Sequence, residues 1–157
     1  MASTEQQFCT FFIERLLFGV EVEKVQEVIR HQGLTRVPLA TDLVGGLINL
    51  RGQIVTAVNL RRRLGLEDNP PGRLPMNVVV RTGDGVVSLL VDEINDVVEV
   101  EQKAFEPPPD TLDVAGRGLI QGVYKLKDKL LLVLETDKAA NVGGHPPDKV
   151  NPQSKLE

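Results

Sequence analysis

The chain has 157 residues, a formal net charge of −4 and 41% hydrophobic residues, with aromatics at 4% and no tryptophan. That length fits one compact domain or two small subdomains sharing a core, and the interior must be built from Val, Leu and Ile, whose β-branched members favour strands. The acidic balance excludes a general nucleic-acid or anionic-membrane binder, both of which rely on clustered positive charge. The single cysteine, Cys9, excludes an internal disulfide framework and fits a reducing cytosol.

The start, Met1-Ala2-Ser3-Thr4-Glu5-Gln6-Gln7, has no cationic region followed by an apolar one, so no secretory signal is expected. No apolar run approaches the ~20 residues of a membrane span, and the chain reads as soluble and intracellular. Residues 8–13 and 16–20 read as strands around Glu14-Arg15, with Cys9 a core or edge thiol and not a nucleophile. Val22, Val25, Val28 and Ile29 recur at helical spacing, which predicts a short helix or helical turn with one apolar side. His31 precedes Gln32-Gly33 and reads as a solvated loop histidine. The connector Leu34-Thr35-Arg36-Val37-Pro38 is extended, because Pro38 biases Val37 away from the α region.

Two apolar segments, 47–50 and 54–58, flank Arg51-Gly52-Gln53 and predict a β-hairpin in which Gly52 supplies a positive φ. A helix begins near Asn59. Arg61-Arg62-Arg63 on it reads as a solvent face or as capping residues, not as a phosphate site. Asn69-Pro70-Pro71-Gly72-Arg73-Leu74-Pro75 marks a boundary short enough that the flanking halves touch. Residues 77–81 and 86–91 read as strands around Thr82-Gly83-Asp84-Gly85, a strong hairpin signal. Val91, Ile94, Val97 and Val98 predict a second helical turn. The acidic residues Asp92, Glu93, Asp96, Glu99, Glu101 and Glu106 lack calcium-loop spacing and read as a solvated face. Residues 139–157 lack periodicity and are expected to be largely disordered.

An internal repeat organises these elements. Val22-Glu23-Lys24-Val25-Gln26-Glu27-Val28 matches Val91-Asp92-Glu93-Ile94-Asn95-Asp96-Val97 at an offset of 69, from 22 to 91. Gly46-Leu47-Ile48-Asn49-Leu50-Arg51 matches Gly122-Val123-Tyr124-Lys125-Leu126-Lys127 at an offset of 76, from 46 to 122. The difference places seven added residues in the loop running from Pro107-Pro108-Pro109-Asp110 to Gly116-Arg117-Gly118, as a duplication with one loop insertion would. The repeated modules carry no visible chemistry. The histidines are His31 and His145 alone, no His/Cys grouping has metal-ligand spacing, and no phosphate-cradling glycine motif occurs. No catalytic residue, metal or cofactor is expected. Arg51 either lies exposed at its turn or pairs with Glu27 or Asp96, and its repeat counterpart is Lys127.

The run Val44-Gly45-Gly46-Leu47-Ile48-Asn49-Leu50-Arg51-Gly52-Gln53-Ile54-Val55-Thr56-Ala57-Val58-Asn59-Leu60-Arg61-Arg62-Arg63-Leu64-Gly65 resembles the CheW-like family of chemotaxis coupling proteins, whose pattern is approximately V-x-G-V-I-N-L-R-G-x-I-V-P-V-[IV]-[DN]-L-R-x-x-[FL]-G. Val25-Gln26-Glu27-Val28, Thr35-Arg36-Val37-Pro38, Leu89 to Val97, the Pro107-Pro108-Pro109 turn and Gly122-Val123-Tyr124-Lys125-Leu126 support it. Thr56 stands where the family has Pro, and Asn59 where Asp is commoner.

The resemblance implies a mainly β fold of two intertwined five-stranded SH3-like barrels with short helices. It implies one domain over 7–140, with subdomains near 14–75 and 76–134 intertwined at their ends, before a disordered 141–157 tail. It also implies a non-enzymatic adaptor between chemoreceptor cytoplasmic tips and the regulatory domain of a CheA-type histidine kinase, cytoplasmic and held at the receptor array by its partners. Carried over by position, the receptor groove uses Val25, Glu27, Val28, Ile94 and Val97, and the kinase-coupling hairpin uses Gly46, Asn49, Leu50, Arg51 and Gly52. Plain core packing is the alternative for the valines. The alternative for the whole chain is a detached regulatory domain of a CheA-type kinase or another SH3-like protein-binding module. The chain shows no phosphotransfer histidine helix, no ATP-binding box and no receiver domain after residue 140, and it starts almost at the first strand; these features favour the stand-alone adaptor.

Overall fold

Runs such as Val78-Val79-Val80 and Leu131-Leu132-Val133-Leu134 are apolar at consecutive positions, which a strand tolerates only if both of its faces are covered. The computed structural model, which describes residues 5–30, 33–38, 41–70, 72–110 and 118–142, covers them in that way. Its strands are β1 (Glu5–Ile13), β2 (Leu16–Glu21), β3 (Val25–Ile29), β4 (Val44–Leu50), β5 (Gln53–Asn59), β6 (Met76–Thr82), β7 (Gly85–Val91), β8 (Glu93–Glu101), β9 (Ile120–Lys125) and β10 (Leu130–Leu134). The short helices α1 (Leu60–Arg63) and α2 (Thr136–Ala140) follow β5 and β10, and 3-10 turns occupy Val22–Lys24 and Gln102–Ala104.

The strands form two five-stranded sheets, ordered β8-β1-β2-β10-β9 and β3-β6-β7-β5-β4. Each sheet takes two adjacent strands, β1–β2 or β6–β7, from one half of the chain and its other three from the other half. The sequence repeat reappears in the registers. Phe11 faces Phe18 across β1–β2, and Val80 faces Val87 across β6–β7. Gly46 faces Ala57 across β4–β5, and Gly122 faces Val133 across β9–β10. The parallel pairs agree too, with Thr56 against Val87 and Leu132 against Phe18.

The alternation of side chains then sorts the apolar residues into three clusters. Phe11, Ile13, Phe18, Val20, Val58, Val78, Val80, Leu89 and Leu132 form a seam between the two sheets. Ile48, Leu50, Val55, Ala57, Val79 and Leu90 fill the hollow of one sheet, and Phe8, Leu17, Tyr124, Leu131 and Val133 fill the other. Bridges from Thr35 to Leu47 and from Glu106 to Val123 bring the connectors onto the β4 and β9 edges, which curls each sheet into an SH3-like barrel. Glycine is required under both straps. A Cβ on Gly46 (φ +146°) would lie 2.9 Å from the Thr35 carbonyl oxygen, and one on Gly122 would lie 2.5 Å from the Glu106 carbonyl oxygen.

Three expectations need correction. In place of the helical turns predicted over 22–29 and 91–98 stand the 3-10 turn Val22–Lys24 followed by β3, and the end of β7 at Val91 followed, after Asp92, by β8. The cause is a bulge in each. Val25 pairs with Val80 and Val28 with Val78, so three steps on β3 span two on β6; Ile94 pairs with Phe11 and Val97 with Cys9 in the same way. An extra residue places side chains three positions apart on one face, which imitates helical spacing. Order also extends into the stretch expected to lack it: α2 runs to Ala140, and Ala139 and Val142 are buried in the seam core. The third correction concerns Arg61 and Asp92, read from sequence as solvated; both are buried. His31, Gly116, Arg117, His145 and residues 143–157 lie outside the described residues.

The expected hairpin forms, and a helix begins where the sequence places it, just after Asn59. Arg51 (φ +53°) and Gly52 (φ +88°) form a two-residue turn with both central residues at positive φ, matching the twist of β4 and β5. Asn59 caps α1, its Oδ1 accepting from the Arg62 N–H at 3.1 Å. Thr56 is 2% exposed at a seam position whose repeat counterpart is Leu132, and its buried Oγ1 has no hydrogen-bond partner among the described residues. A buried unpaired hydroxyl costs on the order of 1 kcal/mol or more. Thr56→Val should therefore raise the melting temperature by a few degrees, as calorimetry would measure.

Candidate functional site

The middle strands of both sheets are covered on both faces, so the edges and turns are what a partner can reach. β3 is one edge of its sheet and β8 one edge of the other. Val25, Val28, Ile94 and Val97 pair with Val80, Val78, Phe11 and Cys9. Directly paired residues project to one face. Val80, Val78 and Phe11 belong to the seam core, and Cys9, two positions from Phe11, shares its face. All four side chains therefore sit on the seam side of their sheets, at the rim where the core meets solvent. Val25 and Ile94 are half-buried and pack against the same core. Val28 and Val97 are 39% and 56% exposed. An apolar strip supplied by both halves of the chain results. Cys9 is half-buried beside Val97, and burial pushes its thiol up, away from the reactive thiolate form.

Glu27, the fifth residue assigned to the groove, is engaged elsewhere. Its carboxylate accepts from Arg51 Nη1 at 2.6 Å and Nη2 at 2.7 Å, a two-pronged pair that joins edge strand β3 to the β4–β5 turn. Those hydrogen bonds hold the Glu27 carboxyl below its ordinary range and raise the Arg51 guanidinium. Of the alternatives open for Arg51, pairing with Glu27 is the one realised. The turn is braced from the other side by Asn49, whose Oδ1 accepts the Gly52 N–H at 2.8 Å.

The five hairpin positions divide by exposure. Asn49, Arg51 and Gly52 face solvent, whereas Gly46 lies buried under the Thr35 strap and Leu50 lies in the barrel interior. Beside the turn, Ile54 is 49% exposed, and its repeat counterpart Leu130 is 39% exposed. Sequence reasoning missed both as surface residues. The signal was present in the alternation: Ile54 shares the face of Thr56 and Val58, but at the strand's end, beyond the reach of the seam core.

The buried charges form a separate cluster. Arg61 donates from Nε and Nη2 to the two oxygens of Asp92, at 2.9 and 2.6 Å. Its Nη1 donates to the Glu67 carbonyl at 2.7 Å and meets Glu14 Oε2 at 2.6 Å. The Glu14 N–H donates to Asp92 Oδ2 at 2.7 Å. Arg61 and Asp92 are thus engaged by each other and by these neighbours, while the Glu14 carboxylate is half-exposed. Among the described residues there is no grouping of His, Cys, Asp and Glu that would hold a metal ion, and no helix long and apolar enough to cross a membrane.

Two curled five-stranded sheets sharing a core, with an apolar rim and a braced hairpin, define a protein-binding scaffold. The chain belongs to the CheW-like domain family, whose model matches residues 7–142. It is 27% identical over 132 residues to the chemotaxis protein CheW of Helicobacter pylori, covering 84% of this chain and 79% of that protein. It is 30% identical over 120 residues to the chemotaxis protein CheW of Rhizobium meliloti, covering 76% and 77%. In structure it is similar to the scaffolding protein TtCheW of Thermoanaerobacter tengcongensis, with a TM-score of 0.79 and 24% identity over 90% of this chain and 96% of that one.

Burial pushes the Asp92 carboxyl up, but the Arg61 guanidinium and the Glu14 N–H outweigh it and hold the group below the usual carboxylate range. A carboxyl depressed in the folded state adds stability that is fully present above its unfolded value, about 3.9, and is lost as pH falls through the folded one. Urea unfolding from about pH 6 to about pH 2 should show the stability gap between wild type and Asp92→Asn closing below about pH 4.

Proposed function

We propose that this chain is a non-enzymatic adaptor of chemotaxis-like signalling, bridging a chemoreceptor's cytoplasmic tip and the regulatory domain of a CheA-type histidine kinase. The observation that carries the reading is the apolar strip on the seam rim, joined through one ion pair to a braced hairpin turn. An amphipathic receptor helix laid along Val25, Val28, Ile94 and Val97 removes apolar area from water at about 25 cal/mol per Å². Glu27 lines the same edge and holds Arg51, so the groove and the turn share a rigid member. The kinase surface is the exposed turn Asn49, Arg51 and Gly52 with neighbouring Ile54, while Gly46 and Leu50 shape it from beneath. Barrel edges and turns offer backbone groups to a partner's barrel, which suits docking onto a regulatory domain of like fold. The working unit is 7–140 as a whole, and its place at the receptor array comes from its partners.

Co-sedimentation with receptor-containing membranes tests the groove. Val28→Glu and Val97→Glu should each weaken binding about 100-fold or more, because a desolvated, unpaired carboxylate costs at least about 3 kcal/mol. Both sites are exposed, so the folded state should persist by circular dichroism. Unchanged binding of both variants removes the groove assignment.

Arg51→Ala tests the turn. The pair is solvent-exposed, so the melting temperature should stay close to that of the wild type. Kinase activation in a reconstituted receptor assay should nonetheless fall sharply. An activity loss no larger than the melting loss explains would make Arg51 purely structural.

A further inference from the structure

Asp92 alone separates β7, in one sheet, from β8, in the other. The chain changes sheets there in a single residue, so the direction in which β8 leaves depends on how that residue is held. It is held from every side. The carboxylate takes the two-pronged contact of Arg61 from α1, which follows β5 of the first sheet crossed, and the N–H of Glu14 from the β1–β2 turn of the other. The Asp92 N–H donates to the Phe12 carbonyl at 3.0 Å, and Arg61 reaches on to Glu67 and Glu14.

The repeat supplies an internal control. The counterpart of Asp92 is Glu23, inside the 3-10 turn Val22–Lys24, where the chain passes from β2 to β3. Glu23 is exposed, and the crossing is held by exposed Arg81, whose Nη1 donates to the Glu23 and Val25 carbonyls at 3.2 and 3.4 Å. The counterparts of Arg61 and Glu14 are Asp137 and Gly83, joined by one exposed hydrogen bond, the Gly83 N–H donating to Asp137 Oδ1 at 3.3 Å. One crossing is thus locked by buried charges, and its mate is not. Burying such a pair costs desolvation that apolar residues of like volume avoid, so stability alone does not account for it.

We infer that Arg61, Asp92 and Glu14 are positioning residues that fix the angle at which β8 leaves the seam, and thereby set the Ile94–Val97 wall of the groove against the Val25–Val28 wall. The functional half of this inference rests on the receptor-groove reading; the geometric half does not. A fork of two hydrogen bonds constrains rotation as well as distance, and the wall residues lie only two and five positions beyond the fork.

The test is the groove width in the free protein. Spin labels on Val28→Cys and Val97→Cys, in a Cys9→Ala background, report it by pulsed dipolar spectroscopy. The reference should give a narrow distance distribution, and Asp92→Asn and Arg61→Lys should each broaden or shift it. Val133→Ala, which opens a gap in the barrel interior away from the crossing, should lower the melting temperature without broadening the distribution. In unlabelled chains with native Val28 and Val97, the same two variants should bind receptor membranes about 10-fold less tightly, with less than about a 2-fold change toward the isolated kinase regulatory domain. Glu14→Gln, at an exposed carboxylate, carries the same measurements if Asp92→Asn does not fold. Unchanged distributions, or equal broadening by Val133→Ala, overturn the positioning role. So does a kinase-binding loss that matches the receptor loss. If Val28→Glu and Val97→Glu leave receptor binding intact, the groove reading falls, while the distance measurement still decides whether these residues set the crossing.

Discussion

The exchange of strands across the seam is the constraint on which the rest of this molecule depends. Each sheet borrows two strands from the half of the chain that builds most of the other, so neither half contains a complete sheet. The paired strands β1–β2 and β6–β7 are packed on both faces, by a barrel interior on one side and by the shared seam on the other. Neither barrel can therefore be completed without strands of the other. The exchange also decides where function can reside. With the central strands enclosed, exposed apolar side chains fall at the edges and turns.

The seam rim follows directly. β3 and β8 are repeat counterparts and edge strands of different sheets, each added onto the exchanged pair of the opposite half. Their bulges turn residues three positions apart toward the seam, which aligns Val25 with Val28 and Ile94 with Val97. Two identical devices from a duplicated sequence thus supply two walls that face a common core. Two ion pairs break the symmetry. Glu27 pairs with Arg51 on one side, and Arg61 pairs with Asp92 on the other. The first ties a wall to a turn; the second ties a wall to the frame.

Much of this was legible in the residues, and the remainder was obscured for identifiable reasons. Asn49 to Gln53 and Thr82 to Gly85 announce hairpins because their turn chemistry is local. The repeat offsets of 69 and 76 reappear as strand registers because register follows the spacing of apolar residues. What a repeat does not encode is which copy a strand pairs with, so the exchange itself was visible only as intertwining implied by family resemblance. Val22 to Ile29 misled because an extra residue in a strand has the same apolar spacing as a helix. Arg61 and Asp92 misled because single-residue reasoning treats charge as solvent-seeking, and their partners lie 31 positions apart. Gly46 and Leu50 carried the same motif as Arg51, yet one is a site of close backbone approach and the other is core.

That last division bears on how a contiguous motif comes to serve a discontinuous surface. Strand alternation sends neighbouring residues of the motif to different environments, burying Gly46, Ile48 and Leu50 while leaving Asn49 exposed. The buried members still govern the exposed ones: Gly46 admits the Thr35 strap that closes the barrel, and Leu50 anchors the strand that presents the turn. Arg51 accepts a left-handed backbone conformation uncommon for its type, which aims its guanidinium back at Glu27 on the facing edge. Charge, turn and edge are thereby joined through one exposed ion pair. An edge strand and a hairpin linked in this way share one positional constraint that involves no reactive chemistry, as a scaffold requires.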